Sequence, residues 1–401
     1  MSIIYPKNDE YRMSYDPFAN MKYCITLHGF DGYKKYFWHT AGFLKTLILI
    51  CRTIYAYQTL SEPKKLAEMV ATYPVRFMAV IKMHVLFFNK KRVDYFYETV
   101  TKEFWDFNIA GPIVEKRIKR RFFIVNITVL SHFCLAIFVL VIFVAFPLVE
   151  MPAGKRPLPN IIWTPFDTNP SPLYEIIYAV LLWNLLLSIL GNAFYDVVYF
   201  YSLQHLFVQY ILLKELIKNV TSGIMEGSSD LEKFNSDYFQ NKVYGRLKIC
   251  VEHHVKLLKY GKNIELFTSQ VLVPQLIMSY AVLVINGYII SVDHTDFTKT
   301  LGLFNLTASC MVQLALFAIQ ASDLKTQSLS VIDSICDSEW YLFRVRIKKA
   351  LIYMMMNTNK GIVINAGGMA DVDNEVLVSV IQKAASAITL LRALISDEGK
   401  N

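Results

Sequence analysis

Four polar side chains in the last apolar stretch of the chain carry its most pointed chemistry. Ser379, Gln382, Ser386 and Thr389 recur every three or four residues, a spacing that gathers them on one face of one helix. In hydrocarbon such a face needs a partner helix or water. It therefore lines a polar conduit or seals a helix–helix contact, and the four residues alone leave both open. The remaining reactive side chains assemble into no site. Cys24, Cys51, Cys134, Cys250, Cys310 and Cys336 include no C-x-x-C pair. Three of them fall in apolar spans, where a thiol packs as a small hydrophobe, and no disulfide framework is expected. Cys24 and His28 lack a second pair, His39, His84 and His132 show no ligand spacing, and His253 and His254 face different sides of a helix. No metal and no cofactor is expected. No nucleophile, base and orienting group can be argued together, so the chain does not read as an enzyme.

The elements that must position the polar stripe are helices in lipid. The 401 residues are 54% hydrophobic and 18% charged, with a mean hydropathy of +0.34. This is too apolar for an ordinary soluble domain and predicts an all-α, multi-span membrane protein. Seven spans are expected, at 37–58, 68–88, 122–147, 173–203, 263–290, 301–323 and 373–395. Lys45 and Arg52 interrupt the first, and Pro74, Arg76 and Lys82 the second. The third is nearly unbroken, Pro274 bends the fifth, and Asn305, Thr307, Ser309 and Gln313 give the sixth polar content. The opening residues carry no basic, apolar and small-residue succession of a cleaved signal peptide.

Charge between the spans gives the orientation. Basic residues crowd 89–121 (Lys90, Lys91, Arg92, Lys102, and Lys116 to Arg121), 204–262 (Lys214 to Lys262) and 324–371 (Lys325, then Arg344 to Lys349). The short loops near 60, 160 and 295 are almost balanced. Positive-inside then predicts a cytoplasmic N-terminus and an extracellular C-terminus. That orientation is the reverse of a G-protein-coupled receptor. No repeated half suggests a transporter, and no phosphate-binding loop or nucleic-acid signature is present. The expected organisation is a cytoplasmic segment 1–36 and spans one to four over 37–203, enclosing a cytoplasmic loop at 89–121 and an extracellular loop at 148–172. Cytoplasmic helical extensions at 204–262, spans five and six over 263–323, a cytoplasmic region 324–371 and a last helix with tail at 372–401 complete it. The loop 148–172 is stiffened by prolines around Trp163 and Phe166 and reads as a cap or a plain connector. Asn126, Asn219 and Asn305 begin N-x-[ST] triplets that this topology hides from glycosylation.

The C-terminal stretch resembles the seven-transmembrane insect odorant receptor family. The resemblance rests on an ordered series: Ser338-Glu339-Trp340-Tyr341, Arg346-Ile347-Lys348-Lys349-Ala350-Leu351 with Met354-Met355-Met356, Ala366-Gly367 in a Gly-containing linker, Gln382-Lys383-Ala384-Ala385-Ser386, and Thr389-Leu390-Leu391-Arg392. Ala387 and Ile388 stand where members often carry Tyr-Phe. Elsewhere the resemblance is architectural.

What the resemblance implies is an odorant-gated, non-selective cation channel in the plasma membrane of a sensory dendrite, passing monovalent cations and calcium. The chain would be a ligand-tuning subunit of a tetramer built with a common coreceptor, whose long insertion before the fifth span it lacks. The last helix would line the central pore, with Leu390 as a dewetting gate, Gln382, Ser386 and Thr389 along the path and Leu394 above. Trp340, Tyr341, Arg346 and Lys349 would belong to a cytoplasmic anchor. A small volatile ligand would bind in the outer half of the bundle, between spans two, three, four and six. The residues offered there are Tyr73, Phe77 and Ile81; Ile137, Val141 and Phe146; Tyr178, Leu182 and Trp183; and Phe304, Thr307, Ala308 and Met311. Ordinary helix packing is the other reading of each. The alternative functions are a gustatory-type ligand-gated channel and a non-conducting structural membrane protein.

Overall fold

The apolar stretches continue as helices well beyond the length a bilayer requires. The computed structural model describes the backbone of residues 34–150, 156, 158, 159, 162–292 and 297–398, with side chains undescribed at 34–39, 63–65, 67, 68, 132, 133, 136, 139, 140, 142–150, 292, 297–299 and 394–398. Most of the expected segment 1–36, and the side chains of Phe146 and Leu394, therefore lie outside the described residues. The long helices are α1 (Lys34–Gln58), α2 (Pro63–Phe88), α4 (Pro112–Glu150), α5 (Leu173–Lys218), α7 (Asp237–Val292), α8 (Phe297–Leu329) and α11 (Asn374–Glu398). Shorter helices are α3 (Lys90–Lys102), α6 (Asp230–Asn235), α9 (Val331–Cys336) and α10 (Val345–Thr358). The 56 residues of α7 run about 84 Å at 1.5 Å per residue, against about 30 Å of hydrocarbon. The basic segment before the fifth span is thus largely helix, continuous with the span itself.

Local chemistry sets the ends. Pro63 opens α2, where its missing N–H costs nothing. Ser229 and Glu232 form a reciprocal capping box on α6. Pro74 and Pro274 lie inside α2 and α7, which neighbouring helices tolerate in a bundle. The Gly-containing linker is a small hairpin. Strands β1 (Asn365–Ala366) and β2 (Ala370–Asp371) pair antiparallel, Asn365 opposite Asp371. Gly367 and Gly368 turn it at φ 58° and 82°, values that favour glycine.

The core centres on α5. Every residue from Ala193 to Leu213 is buried, so the helix is enclosed all round rather than on one stripe. Helices α2, α4, α7 and α8 pack around it, and α11 docks on α7 and α8. Five of the described helices are long and apolar enough to cross a membrane: α2, α5, α7, α8 and α11. The expected spans 37–58 and 122–147 are not among them. Lys45 and Arg52 lower the hydropathy of α1, but both are buried against protein. Lys45 Nζ donates to the Leu187 carbonyl at 2.7 Å, and Arg52 donates to the Met69 carbonyl and to Thr72 Oγ1. Much of 122–147 has side chains outside the described set.

Candidate functional site

Four helices leave a cavity of about 90 Å³ between them. Helix α2 contributes Pro74, Val75 and Met78, and α5 contributes Ile189, Asn192 and Ala193. Gln275, Met278, Ser279 and Val282 come from α7, and Leu306, Ser309, Cys310 and Gln313 from α8. The wall is mostly apolar with a few placed polar groups, the usual composition of a small-molecule site.

A chain of polar side chains runs from the cavity wall into the bundle. Lys82 of α2 and Asp196 of α5 form an ion pair at 2.7 Å, their side chains 0% and 2% exposed. The Lys82 ammonium also lies 5.5 Å from the Tyr195 ring and 5.4 Å from the Phe317 ring, a cation–π arrangement that replaces part of its hydration. The second carboxylate oxygen of Asp196 accepts from Gln313 Nε2. Gln313 Oε1 accepts from Gln275 Nε2 at 3.3 Å, and Gln275 Nε2 donates to Ser279 Oγ at 3.0 Å. The network ties α2, α5, α8 and α7 together at one level. Intramembrane charges survive in such paired, hydrogen-bonded settings.

None of the expected ligand residues with a described side chain lines this cavity. Tyr73 and Phe77 stack on each other with centroids 6.3 Å apart, and the Tyr73 hydroxyl lies 3.0 Å from Thr53 Oγ1, on the side facing α1. Ile81 packs against the main core. Ile137 and Val141 are exposed, as are Trp183 and Phe304. Tyr178 and Leu182 are half-buried, the Tyr178 ring 5.9 Å from that of Tyr174. Thr307 spends its hydroxyl on the Leu303 carbonyl, and Ala308 and Met311 are half-buried. The expected spans two, four and six contribute, but through neighbouring faces, and α7 lines the cavity rather than the third span. Lys82 and Gln313 stand out in sequence as polar residues in apolar spans; the same signal marks Asn192, Asp196, Gln275 and Ser279.

The last helix carries a packed face and an open one. Ala384 is buried and Ile388 half-buried. Opposite them Gly287 of α7 leaves the room: a Cβ there would lie 2.6 Å from Ile388 Cδ1. Gln382, Ser386, Thr389 and Leu390 are exposed on the other face, Leu390 by 61%. Ser386 and Thr389 return their hydroxyl protons to carbonyls one turn back, which keeps their oxygens as acceptors along that face.

The expected anchor residues lie around a firmly built core. Phe343 is fully buried. Gln240 accepts from the Arg344 backbone and donates to the Leu342 carbonyl. Arg344 pairs with Asp237 at 2.6 Å. Trp340 itself is 45% exposed and Tyr341 53%, so in the single chain the neighbours Leu342 and Phe343 supply the packing. Lys348 lies over the Trp340 ring at 5.6 Å, Arg346 over the Tyr244 ring at 4.7 Å, and Lys349 is exposed. Nearby, on the stretch of α7 that precedes 263–290, His253 stacks on Trp105 at 3.6 Å and meets Gln209 at 3.0 Å. Burial holds the His253 imidazole well below its ordinary range and pushes His254 down to about 4. Both are neutral packing groups near pH 7. Among the described residues, no three His, Cys, Asp or Glu side chains gather as a metal site.

Comparison with known proteins bears on this arrangement. The sequence profile described as 7tm Odorant receptor matches residues 62–385. Odorant receptor Or2 of Anopheles gambiae is 22% identical over 326 residues, 79% of this chain and 81% of that protein. Odorant receptor 13a of Drosophila melanogaster is 20% identical over 370 residues, 86% of this chain and 85% of that protein. The fold matches the insect olfactory receptor OR5 from Machilis hrabei with a TM-score of 0.77 at 14% identity, over 91% of this chain and 90% of that one. The same receptor solved in complex with eugenol matches with a TM-score of 0.73 at 15% identity, over 90% of each chain.

Proposed function

Because the chain belongs to the insect odorant receptor family of seven-transmembrane proteins, we propose that it is a ligand-tuning subunit of an odorant-gated, non-selective cation channel. It is a multi-pass plasma-membrane protein without enzymatic activity. In this reading seven helices cross the membrane, with the N-terminus in the cytoplasm and the C-terminus outside. Four subunits, this chain and a common coreceptor, surround a pore for monovalent cations and calcium.

The observation that carries the reading is the asymmetry of α11. One face is packed on α7 and α8 through Ala384 and Ile388, while the face bearing Gln382, Ser386, Thr389 and Leu390 is left uncovered. A helix in lipid that buries its apolar face and bares its polar one requires water or a partner there. Around a fourfold axis that face lines the conduit, and Leu390 supplies a ring that stops ions by dewetting. Trp340 and Tyr341, exposed in one chain, become contacts between anchors of neighbouring subunits.

A volatile ligand acts through its differential affinity for closed and open arrangements of the bundle. The cavity adjoins α7 and α8, the two helices on which α11 rests, so a ligand that changes their spacing biases the pore helix directly. Whole-cell recording tests the reading, with the chain expressed alone and with a coreceptor, against volatile esters, alcohols, aldehydes and aromatics. Ligand-evoked cation current only in the presence of the coreceptor is expected. Current from the chain alone contradicts the obligate partner, and silence in both conditions contradicts the channel reading.

A further inference from the structure

Helix α4 is closed on one side and open on the other. Val114, Ile118, Val125 and Val129 are buried against the bundle. Opposite them the open positions follow at alternating steps of four and three, the repeat of a single helix face. They are Lys116, Arg120, Phe123, Ile127, Leu130 and Cys134, all exposed. The face is cationic from Lys116 to Arg120, with the exposed Arg117 at its edge, and the positions of the series beyond are apolar. The neighbouring cations are answered within the chain. Lys119 pairs with Glu115 at 2.5 Å and Arg121 with Asp323 at 2.8 Å. Among the described residues Lys116, Arg117 and Arg120 have no ion pair. Lys116 and Arg120 stand one turn apart, a like-charge spacing that costs free energy when no anion answers it.

We propose that this face seats an anionic phospholipid of the cytoplasmic leaflet. The occupant is an inositol lipid whose phosphomonoesters meet Lys116, Arg117 and Arg120 while an acyl chain lies along Phe123, Ile127 and Leu130. The proposal rests on the channel reading only for the orientation that puts this end of α4 on the cytoplasmic side. The lengths agree. Arg120 stands about 4.5 Å along the axis from Phe123, and Phe123 to Cys134 covers about 16 Å, close to half of a hydrocarbon core of about 30 Å. A juxtamembrane cluster gains from anionic lipid with each cation it presents. Three cations within five residues exceed what one monovalent headgroup answers, so a headgroup with several charges fits them. The exposed apolar lane in register with the cations selects a lipid over a free phosphate.

The test follows the melting temperature of the purified full chain in nanodiscs as phosphatidylinositol bisphosphate is added to phosphatidylcholine. Discs carrying phosphatidylserine at equal total charge, and soluble inositol trisphosphate, are the comparisons. The bisphosphate lipid should stabilise the chain, and neither comparison should match it. The triple variant Lys116→Gln, Arg117→Gln and Arg120→Gln should need about a hundredfold more of the lipid for the same effect, and Arg120→Gln alone about fivefold more. Lys242→Gln removes the same charge from an exposed position of α7, about 30 Å before residue 263, and should change nothing. Equal stabilisation by phosphatidylserine overturns the inference, since charge alone then accounts for it. An equal effect of the soluble headgroup overturns it as well, since no acyl chain is then involved. No stabilisation in any disc, or a full effect in the triple variant, removes the site. Arg120→Gln decides where the triple variant fails to fold. The measurement uses no odorant and no current, so its failure leaves the channel reading standing, and silent recordings leave the lipid site standing.

Discussion

Lys82 and Asp196 show what a residue can and cannot reveal in sequence. Each is a charge in an apolar run, and Lys82 is conspicuous there. Their pairing spans 114 positions, and nothing local announces it; it exists because α2 and α5 pack at that level. The same holds for Gln275 and Gln313. A polar residue in a span is legible, whereas its partner is a property of the packed bundle. The pair is costly to break and cheap to remove whole. Lys82→Met should destabilise the protein by about 3–5 kcal/mol, because the buried Asp196 carboxylate loses the ammonium that neutralises it. It would be seen as loss of surface expression and a lower melting temperature in nanodiscs. The double variant Lys82→Met with Asp196→Leu should recover most of that loss. A mild single variant, or a double variant no better than the single, would show that the two charges do not depend on each other.

At the scale of elements, the existence of the long helices was legible and their faces were not. Runs such as 122–147 and 173–203 are apolar all round, so they carry no stripe that says which side meets a neighbour. One residue along a helix turns the side chain by about 100°, and Phe304, expected at the ligand, is exposed while Leu306 two positions on lines the cavity. The hairpin at 365–371 was hidden for a different reason. Its strands are two residues each, too short for alternation to register, and only its glycines signalled a break. The docking of α11 sets a large residue against a small one: Gly287 of α7 stands opposite Ile388. Gly287→Val should push α11 off α7 and cost about 1–3 kcal/mol through overpacking. Ala384→Gly, which adds no bulk on the packed face of α11, should not displace the helix. Agonist-evoked current per receptor at the surface, with the melting temperature, distinguishes them. Normal gating in Gly287→Val would show that this contact does not hold α11 in place.

For the whole molecule, the decisive feature is a chain that is not covered on every side. The helices around α5 bury their surfaces against one another, yet α11 is the least buried of the five apolar helices. Trp340, Tyr341, Ile352, Tyr353 and Met356 are further large hydrophobics left exposed, all between residues 340 and 356. Such surfaces on one chain are completed by lipid or by other subunits. Composition reached the membrane class, and loop charge predicts an orientation. Any assembly with other subunits depends on surfaces that meet only between chains, so the pattern of one chain does not carry it. Cysteine substitution along α11, with a charged thiol reagent applied during agonist-evoked current, tests the pore most directly. Gln382→Cys, Ser386→Cys, Thr389→Cys and Leu390→Cys should be blocked by the reagent, while Ala384→Cys and Ile388→Cys, like the parent chain, should conduct unchanged. Equal block on both faces, or none at positions 382, 386, 389 and 390, would contradict a pore lined by this helix.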